Sequence, residues 1–228
     1  HRVYNKNIEL INDVNQKKFS EKLSQIFLPM VTLVTILSVV TFIFVPEILP
    51  YAVKDISLHS NETILLVHRY TRILIFGQVF YLIGSFFLAS QYAHKAFVFP
   101  ALAPLLYNGS IILGGYLGSF GGSLEGFCWG ALAGMALGSC MLQLYGGFKV
   151  GVRIYWPKHW FSPLLKKYLW LTLPFVLGMA ATFANEFVYR YFGGEETGSV
   201  ASLGFGLRIM MALVGVFGGA VGIASYPF

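Results

Sequence analysis

A single arginine interrupts a long apolar stretch near the end of the 228-residue sequence. Arg208 lies in a run from Phe205 to Ala224 in which all of the remaining residues are apolar or small. If this run crosses a bilayer, the charge costs about 2.5 to 3.5 kcal/mol near the helix centre, so the side chain is expected to face protein or water. A guanidinium forms paired hydrogen bonds with phosphate oxygens. Arg208 is therefore a candidate anion-binding residue in an internal cavity.

Glu186 offers a second explanation of the same charge. It lies near the end of the preceding apolar segment, four residues before Arg190. If the two segments are adjacent antiparallel helices, Glu186 and Arg208 are able to form a structural ion pair. The residues alone leave the anion site and the ion pair both open.

The sequence carries no motif of a catalytic or cofactor site. It contains no HExxH, no phosphate-binding GxxxxGK[ST] loop, no dinucleotide-binding GxGxxG and no GxSxG. Its histidines fall in or near polar connections without the spacing of metal ligands. The sequence therefore predicts neither an enzyme nor a bound metal or cofactor. The histidines in question are His1, His59, His68, His94 and His159.

The composition of the chain predicts that the elements around Arg208 are transmembrane helices. Hydrophobic residues make up 56% of the chain and charged residues only 11%, whereas soluble domains average about 25% charged residues. One helical crossing needs about 20 apolar residues, and the charges leave six such windows. The sequence predicts an all-α polytopic membrane protein, with a cytoplasmic arm over residues 1–25 and a transmembrane bundle over 26–228. The arm is either an interfacial helix that leads into the first span or a solvated linker. The predicted spans are 26–45, 71–90, 97–118, 126–145, 168–187 and 199–223.

Basic residues divide unevenly between the connections, which predicts orientation. Lysines and arginines cluster in the arm and in the second and fourth connections, whereas the alternate connections hold only Lys54, Arg69 and Arg190. The bias predicts a cytoplasmic N-terminus. The formal net charge of +6 then reflects topology and contact with anionic membrane lipids, not a nucleic-acid site.

Glycine recurs at every fourth position from 114 to 138. Small residues at this spacing let helix backbones approach closely inside a membrane. The run crosses the predicted turn at 119–125, so it predicts two glycine-rich faces that pack against neighbouring helices. The alternative is the generally high glycine content of membrane helices.

Two longer stretches resemble a known family. "KAFVFPALAPLLYNGSIILG", from Lys95 to Gly114, resembles the start of the fifth helix in the bacterial lipid II flippase family MurJ, also called MviN. "GSVASLGFGLRIMMALVGVFGGAVGIASYP", from Gly198 to Pro227, is similar to the family's eighth helix. The resemblance extends over nearly the whole chain and places it at helices three to eight of a fourteen-helix fold. That fold is shared by the multidrug/oligosaccharidyl-lipid/polysaccharide exporter superfamily.

The resemblance implies a function and a membrane. A family member moves lipid II, a lipid-linked sugar pyrophosphate, from the inner to the outer leaflet of the bacterial cytoplasmic membrane by alternating access. The family's eighth-helix arginine lines a central cationic cavity and corresponds to Arg208, which the resemblance thus assigns to the pyrophosphate. It also implies cell-wall synthesis proteins as further partners.

The sequence departs from the family pattern at two places. Leu213 stands where a proline commonly follows the eighth-helix arginine, and "RILIFGQ" lacks the usual proline of the fourth helix. The resemblance also leaves out the first two helices, which carry other cavity arginines, and the second lobe. Two alternatives therefore stay open. One is a related exporter of another polyprenyl-linked oligosaccharide or a cation-coupled small molecule, and the other is a nontransporting membrane scaffold.

Overall fold

A computed structural model describes residues 2–52, 61–157, 159–192, 202 and 204–214. Helices joined by short connections make up the regular structure of these residues, which confirms the predicted all-α class. They are α1 (Arg2–Ile43), α2 (Val45–Ala52), α3 (Asn61–Ile75), α4 (Gly77–Ala93), α5 (Val98–Ser119), α6 (Glu125–Gly134), a π-helical segment (Met135–Met141), α7 (Leu142–Lys149), α8 (Pro163–Phe192) and α9 (Gly204–Val214).

Five helical stretches of the described residues are long and apolar enough to cross a membrane. They correspond in order to the first five predicted spans. The second begins at Asn61, ten residues before the predicted start, and runs through a break at Phe76 to Ala93. The sixth predicted span is represented by Ser202 and α9, and its other residues lie outside the described part of the chain.

The residues of the predicted cytoplasmic arm, for which an interfacial helix leading into the first span was one interpretation, belong to α1. This helix runs without a break from Arg2 to Ile43 and therefore continues from the arm into the first span. Whether its first turns lie at the membrane surface stays a prediction.

The chain divides into two compact units. The first comprises residues 1–46 and 60–173, and the second comprises 47–59 and 174–228. The first unit therefore contains α1 and α3 to α7, and the second contains α9 and most of α2 and α8.

Aromatic packing holds the core of the first unit together. Phe27 of α1 meets Phe87 of α4 edge to face, with ring centroids 5.6 Å apart. Val152, from the connection after α7, completes this buried cluster. Most large apolar side chains outside it are exposed, among them Leu105, Ile112 and Leu117 of α5. An apolar exterior around a small core is the pattern of helices whose outer surface contacts lipid.

The glycine-rich faces of α5 and α6 pack directly on each other. A Cβ on Gly114 would lie 2.6 Å from the Cα of Gly130, and one on Gly118 would lie 2.9 Å from the Cα of Gly126. Gly122 lies in the turn between the helices with φ +65°, a conformation that side chains with a Cβ rarely adopt. The spacing of four therefore marks a helix pair whose backbones are in contact, as the sequence predicted.

The π-helical segment continues this contact onto α4. A Cβ on Gly84 of α4 would overlap the carbonyl oxygen of Ser139 in the π-helical segment. A π-helical turn is wider than an α-helical one, and such segments are frequent at functional positions. No pattern in the sequence predicted this irregularity.

The arm and the basic fourth connection lie at the same end of the first unit. Ser20 Oγ accepts a hydrogen bond from the backbone N–H of Arg153 at 3.1 Å, and Ser24 Oγ accepts one from Tyr155 N–H at 2.9 Å. Gln16 Nε2 donates to the carbonyl oxygen of Val150. The charge pattern predicted that these two segments share one side of the membrane, and the hydrogen bonds agree with it.

Candidate functional site

Arg208, the arginine predicted to bind an anion, lies in the middle of α9 in the second unit. Its side chain is exposed, as are those of Phe205 and Ile209 around it. No described carboxylate forms an ion pair with it. Within the described residues, the Arg208 guanidinium is therefore accessible to a ligand.

Glu186, the predicted ion-pair partner, lies on α8 in the same unit. Its side chain falls outside the described residues, and the same holds for Arg190. The ion pair between Glu186 and Arg208 therefore stays a prediction.

A second group of charges surrounds a cavity in the first unit. The cavity has a volume of about 570 Å³ and lies between α1, α3 and α6, bordered by the break before α4. Its wall combines charged or polar side chains with apolar ones. The lining residues are Phe42, Leu65, His68, Arg69, Arg72, Ile73, Phe76, Glu125, Trp129 and Leu132.

Glu125 connects two helices at this cavity. One carboxylate oxygen lies 3.1 Å from Nε of Arg69 on α3, and the other accepts a hydrogen bond at 2.9 Å from the indole of Trp129. The Glu125 side chain is only 16% exposed, whereas that of Arg69 is 65% exposed. Because the arginine is largely in solvent, the pair itself contributes about 0–1 kcal/mol.

Arg72 lies one helical turn after Arg69 and has no such partner. Its guanidinium carbon lies 5.4 Å from the centre of the Phe42 ring, within cation–π range. Its Nε is buried, and no described group accepts a hydrogen bond from it. With two arginines and one glutamate, the cavity carries an excess of positive charge.

The described residues contain no cluster of three or more histidine, cysteine or acidic side chains that is able to hold a metal ion. At both candidate sites the group that is able to recognise an anion is an arginine guanidinium.

These observations define a polytopic helical membrane protein with arginines in its apolar helices. The family model of the lipid II flippase MurJ matches residues 3–227. The chain belongs to this family, which confirms the resemblance carried by the stretches Lys95 to Gly114 and Gly198 to Pro227. MurJ is a transporter family, in keeping with the expectation that the protein is not an enzyme. No curated protein and no solved structure gives a significant match to the chain.

Sequence reasoning missed the cavity around Arg72. It placed Arg69 in a polar connection, whereas the structure places it within α3. The missed signal is the spacing of Leu65, Arg69, Arg72 and Phe76, which puts them on one face of a helix. Glu125 is more than fifty residues away, so only tertiary structure brings its carboxylate to this face.

Proposed function

We propose that this protein is a lipid II flippase that moves the lipid-linked peptidoglycan precursor from the inner to the outer leaflet by alternating access. The observation that carries the proposal is the family match over residues 3–227, which includes Arg208. The membrane is the bacterial cytoplasmic membrane, with the N-terminus of this chain on the cytoplasmic side.

Arg208 binds the pyrophosphate of the substrate in this proposal. A diphosphate cannot enter hydrocarbon without losing its hydration shell, which is costly for a charged group. A guanidinium replaces part of that shell through two parallel charge-assisted hydrogen bonds. The exposed position of Arg208 on an apolar helix supports this role because the charge is accessible to a ligand.

Complementation in cells tests this assignment. The native flippase is depleted, and the full-length protein is supplied with Arg208 intact or changed to alanine. Loss of a hydrogen-bonded charge costs about 1.5–3 kcal/mol, so Arg208→Ala is expected to reduce precursor export roughly 10- to 100-fold while the protein accumulates normally in the membrane. Arg208→Lys keeps the charge but loses the forked geometry and is expected to retain partial export.

Arg153→Ala is the matched control because Arg153 is an exposed arginine outside the apolar helices. It is expected to leave export unchanged. Normal export with Arg208→Ala would exclude the role assigned to Arg208 and favour a scaffold. Failure of the unmutated protein to restore export would favour a related exporter with another substrate.

A further inference from the structure

The residues that line the cavity around Arg72 all belong to the first unit. Arg72 has a hydrogen-bond donor without an acceptor among the described residues. A guanidinium carries five N–H donors in a planar fork. The Phe42 ring covers Arg72 at 5.4 Å, and its buried Nε has no acceptor among the described residues. A buried donor without an acceptor is unfavourable. A ligand that brings acceptor oxygens would satisfy it.

The charges of the cavity select an anion as that ligand. Arg69 already faces the carboxylate of Glu125, and the second oxygen of Glu125 accepts from Trp129. Each oxygen of Glu125 thus has a partner, and no described carboxylate forms an ion pair with Arg72. Arg69 is paired with Glu125, so the unpaired positive charge available to an anion is that of Arg72.

The position of the cavity along the helices corresponds to lipid headgroups. Glu125 begins α6 directly after the turn from α5, so Arg69 beside it lies near the end of the bundle. Arg72 lies about 4.5 Å further along α3 at 1.5 Å per residue. Trp129 lines the same cavity, and tryptophan is enriched at the level of the headgroups. Leu65, Ile73 and Leu132 supply an apolar wall for the rest of a lipid.

We propose that this cavity binds the phosphate of a lipid headgroup, and that Arg72 is the residue that donates hydrogen bonds to it. A volume of about 570 Å³ is within the usual range of small-molecule sites, about 300–1,000 Å³. The phosphate is that of an anionic phospholipid or of a polyprenyl diphosphate, which share the same chemistry. The site lies at the end of the first unit opposite Ser20 and Arg153. It does not depend on the proposed function because an ordinary phospholipid is sufficient to occupy it.

Quenching of Trp129 fluorescence tests the proposal. The full-length protein retains Trp129 as its sole tryptophan, with the other tryptophans changed to phenylalanine, and is placed in micelles that contain phosphatidylglycerol or phosphatidylcholine with brominated chains. Nonspecific lipid contact quenches equally with both headgroups, whereas an anion site favours phosphatidylglycerol. A charge-assisted hydrogen bond to phosphate is strong enough for phosphatidylglycerol to be preferred over phosphatidylcholine by roughly 5-fold or more.

Substitutions test which residue binds the phosphate. Arg72→Gln is expected to reduce the preference for phosphatidylglycerol over phosphatidylcholine to about 1, because a charge-assisted hydrogen bond is lost. Glu125→Gln is expected to increase it, because this change removes the competing negative charge but keeps an acceptor for Trp129. Arg153→Gln and Arg208→Gln are expected to leave it unchanged. Circular dichroism verifies that each variant is folded.

Two competitors distinguish the sources of phosphate. Recovery of fluorescence by unbrominated phosphatidylglycerol alone assigns the site to phospholipid, whereas recovery by undecaprenyl diphosphate at a lower mole fraction assigns it to the polyprenyl lipid. The proposal is overturned if the unmutated protein shows no headgroup preference, or if Glu125→Gln and a folded Arg72→Gln leave that preference unchanged. Preference lost with Arg208→Gln but kept with Arg72→Gln would also overturn it. Loss of Arg208 is expected to reduce export without altering the headgroup preference at Trp129, so the two proposals fail separately.

Discussion

Gly114 of α5 and Gly130 of α6 bring their helix backbones into direct contact. A Cβ on Gly114 would lie 2.6 Å from the Cα of Gly130, closer than a side-chain carbon approaches another atom. The obstructing atoms belong to the backbone and cannot move aside as a flexible side chain would. The two helices are able to separate only by shifting as whole elements.

Substituting either glycine is expected to destabilise the bundle. Gly130→Ala forces α5 and α6 apart, and overpacking of this kind costs about 1–3 kcal/mol. Gly109→Ala on α5 is the matched control, because a Cβ on Gly109 would have no atom within 4 Å. Thermal unfolding in detergent should give a lower Tm for Gly130→Ala and a Tm at or above that of the unmutated protein for Gly109→Ala. Equal Tm values for both variants would contradict the backbone contact.

Gln91 and Gln143 form a buried polar pair between α4 and α7. Gln91 Nε2 donates to Gln143 Oε1 at 2.7 Å, and Gln143 Nε2 donates to the carbonyl oxygen of Phe99 at 3.3 Å. Gln91 Nε2 also donates to the backbone carbonyl oxygens of Phe87 and Gln143, which remain after Gln143→Leu. This substitution removes only the two side-chain hydrogen bonds of Gln143 and is expected to cost about 1 kcal/mol. Adding Gln91→Leu should cost less than Gln91→Leu alone, because the bond between the two side chains is then already absent.

Denaturant unfolding of the single and double variants measures this coupling. Gln78→Leu, an exposed position on α4, is expected to have little effect. Strictly additive losses for the two buried positions would show that the glutamines do not depend on each other.

Ser24 holds the connection after α7 against α1. The serine side chain is buried and accepts a hydrogen bond from Tyr155 N–H at 2.9 Å. Ser24→Ala removes this acceptor and is expected to cost about 1 kcal/mol, so the Tyr155 amide should exchange its hydrogen about five-fold faster if local opening limits exchange. Ser85→Ala, at an exposed position on α4, is the control. An unchanged exchange rate at Tyr155 in Ser24→Ala would exclude this contact as a restraint.

Glu125 is expected to matter more through Trp129 than through Arg69. Arg69→Gln should change the free energy of unfolding by at most about 1 kcal/mol, because the arginine is largely exposed. Glu125→Gln keeps an acceptor for the indole and should be similarly mild. Glu125→Ala removes both interactions and should be the most destabilising of the three. A double-mutant cycle between Glu125 and Trp129 measures the second interaction, and a coupling energy near zero would contradict its importance.

Much of the fold is evident in the order of residues along the chain. Apolar windows of about 20 residues predicted the first five spans, because a helix must be that long to cross hydrocarbon. Glycines at every fourth position predicted close packing, since that spacing repeats on one face of a helix. The break at Phe76 and the π-helical segment from Met135 to Met141 were not predicted, because both depend on how neighbouring helices pack.

Of the two candidate sites, one was predicted from the sequence and the other became evident only in the structure. The sequence by itself determined that Arg208 is a costly charge in an apolar helix, because the interior of a bilayer penalises a charged side chain. Only the tertiary structure decided that Arg72 shares a cavity with Glu125 and Trp129, because these residues come from helices that are distant in sequence. Local periodicity records which face a residue occupies, whereas the identity of the opposing charge depends on which helices are adjacent.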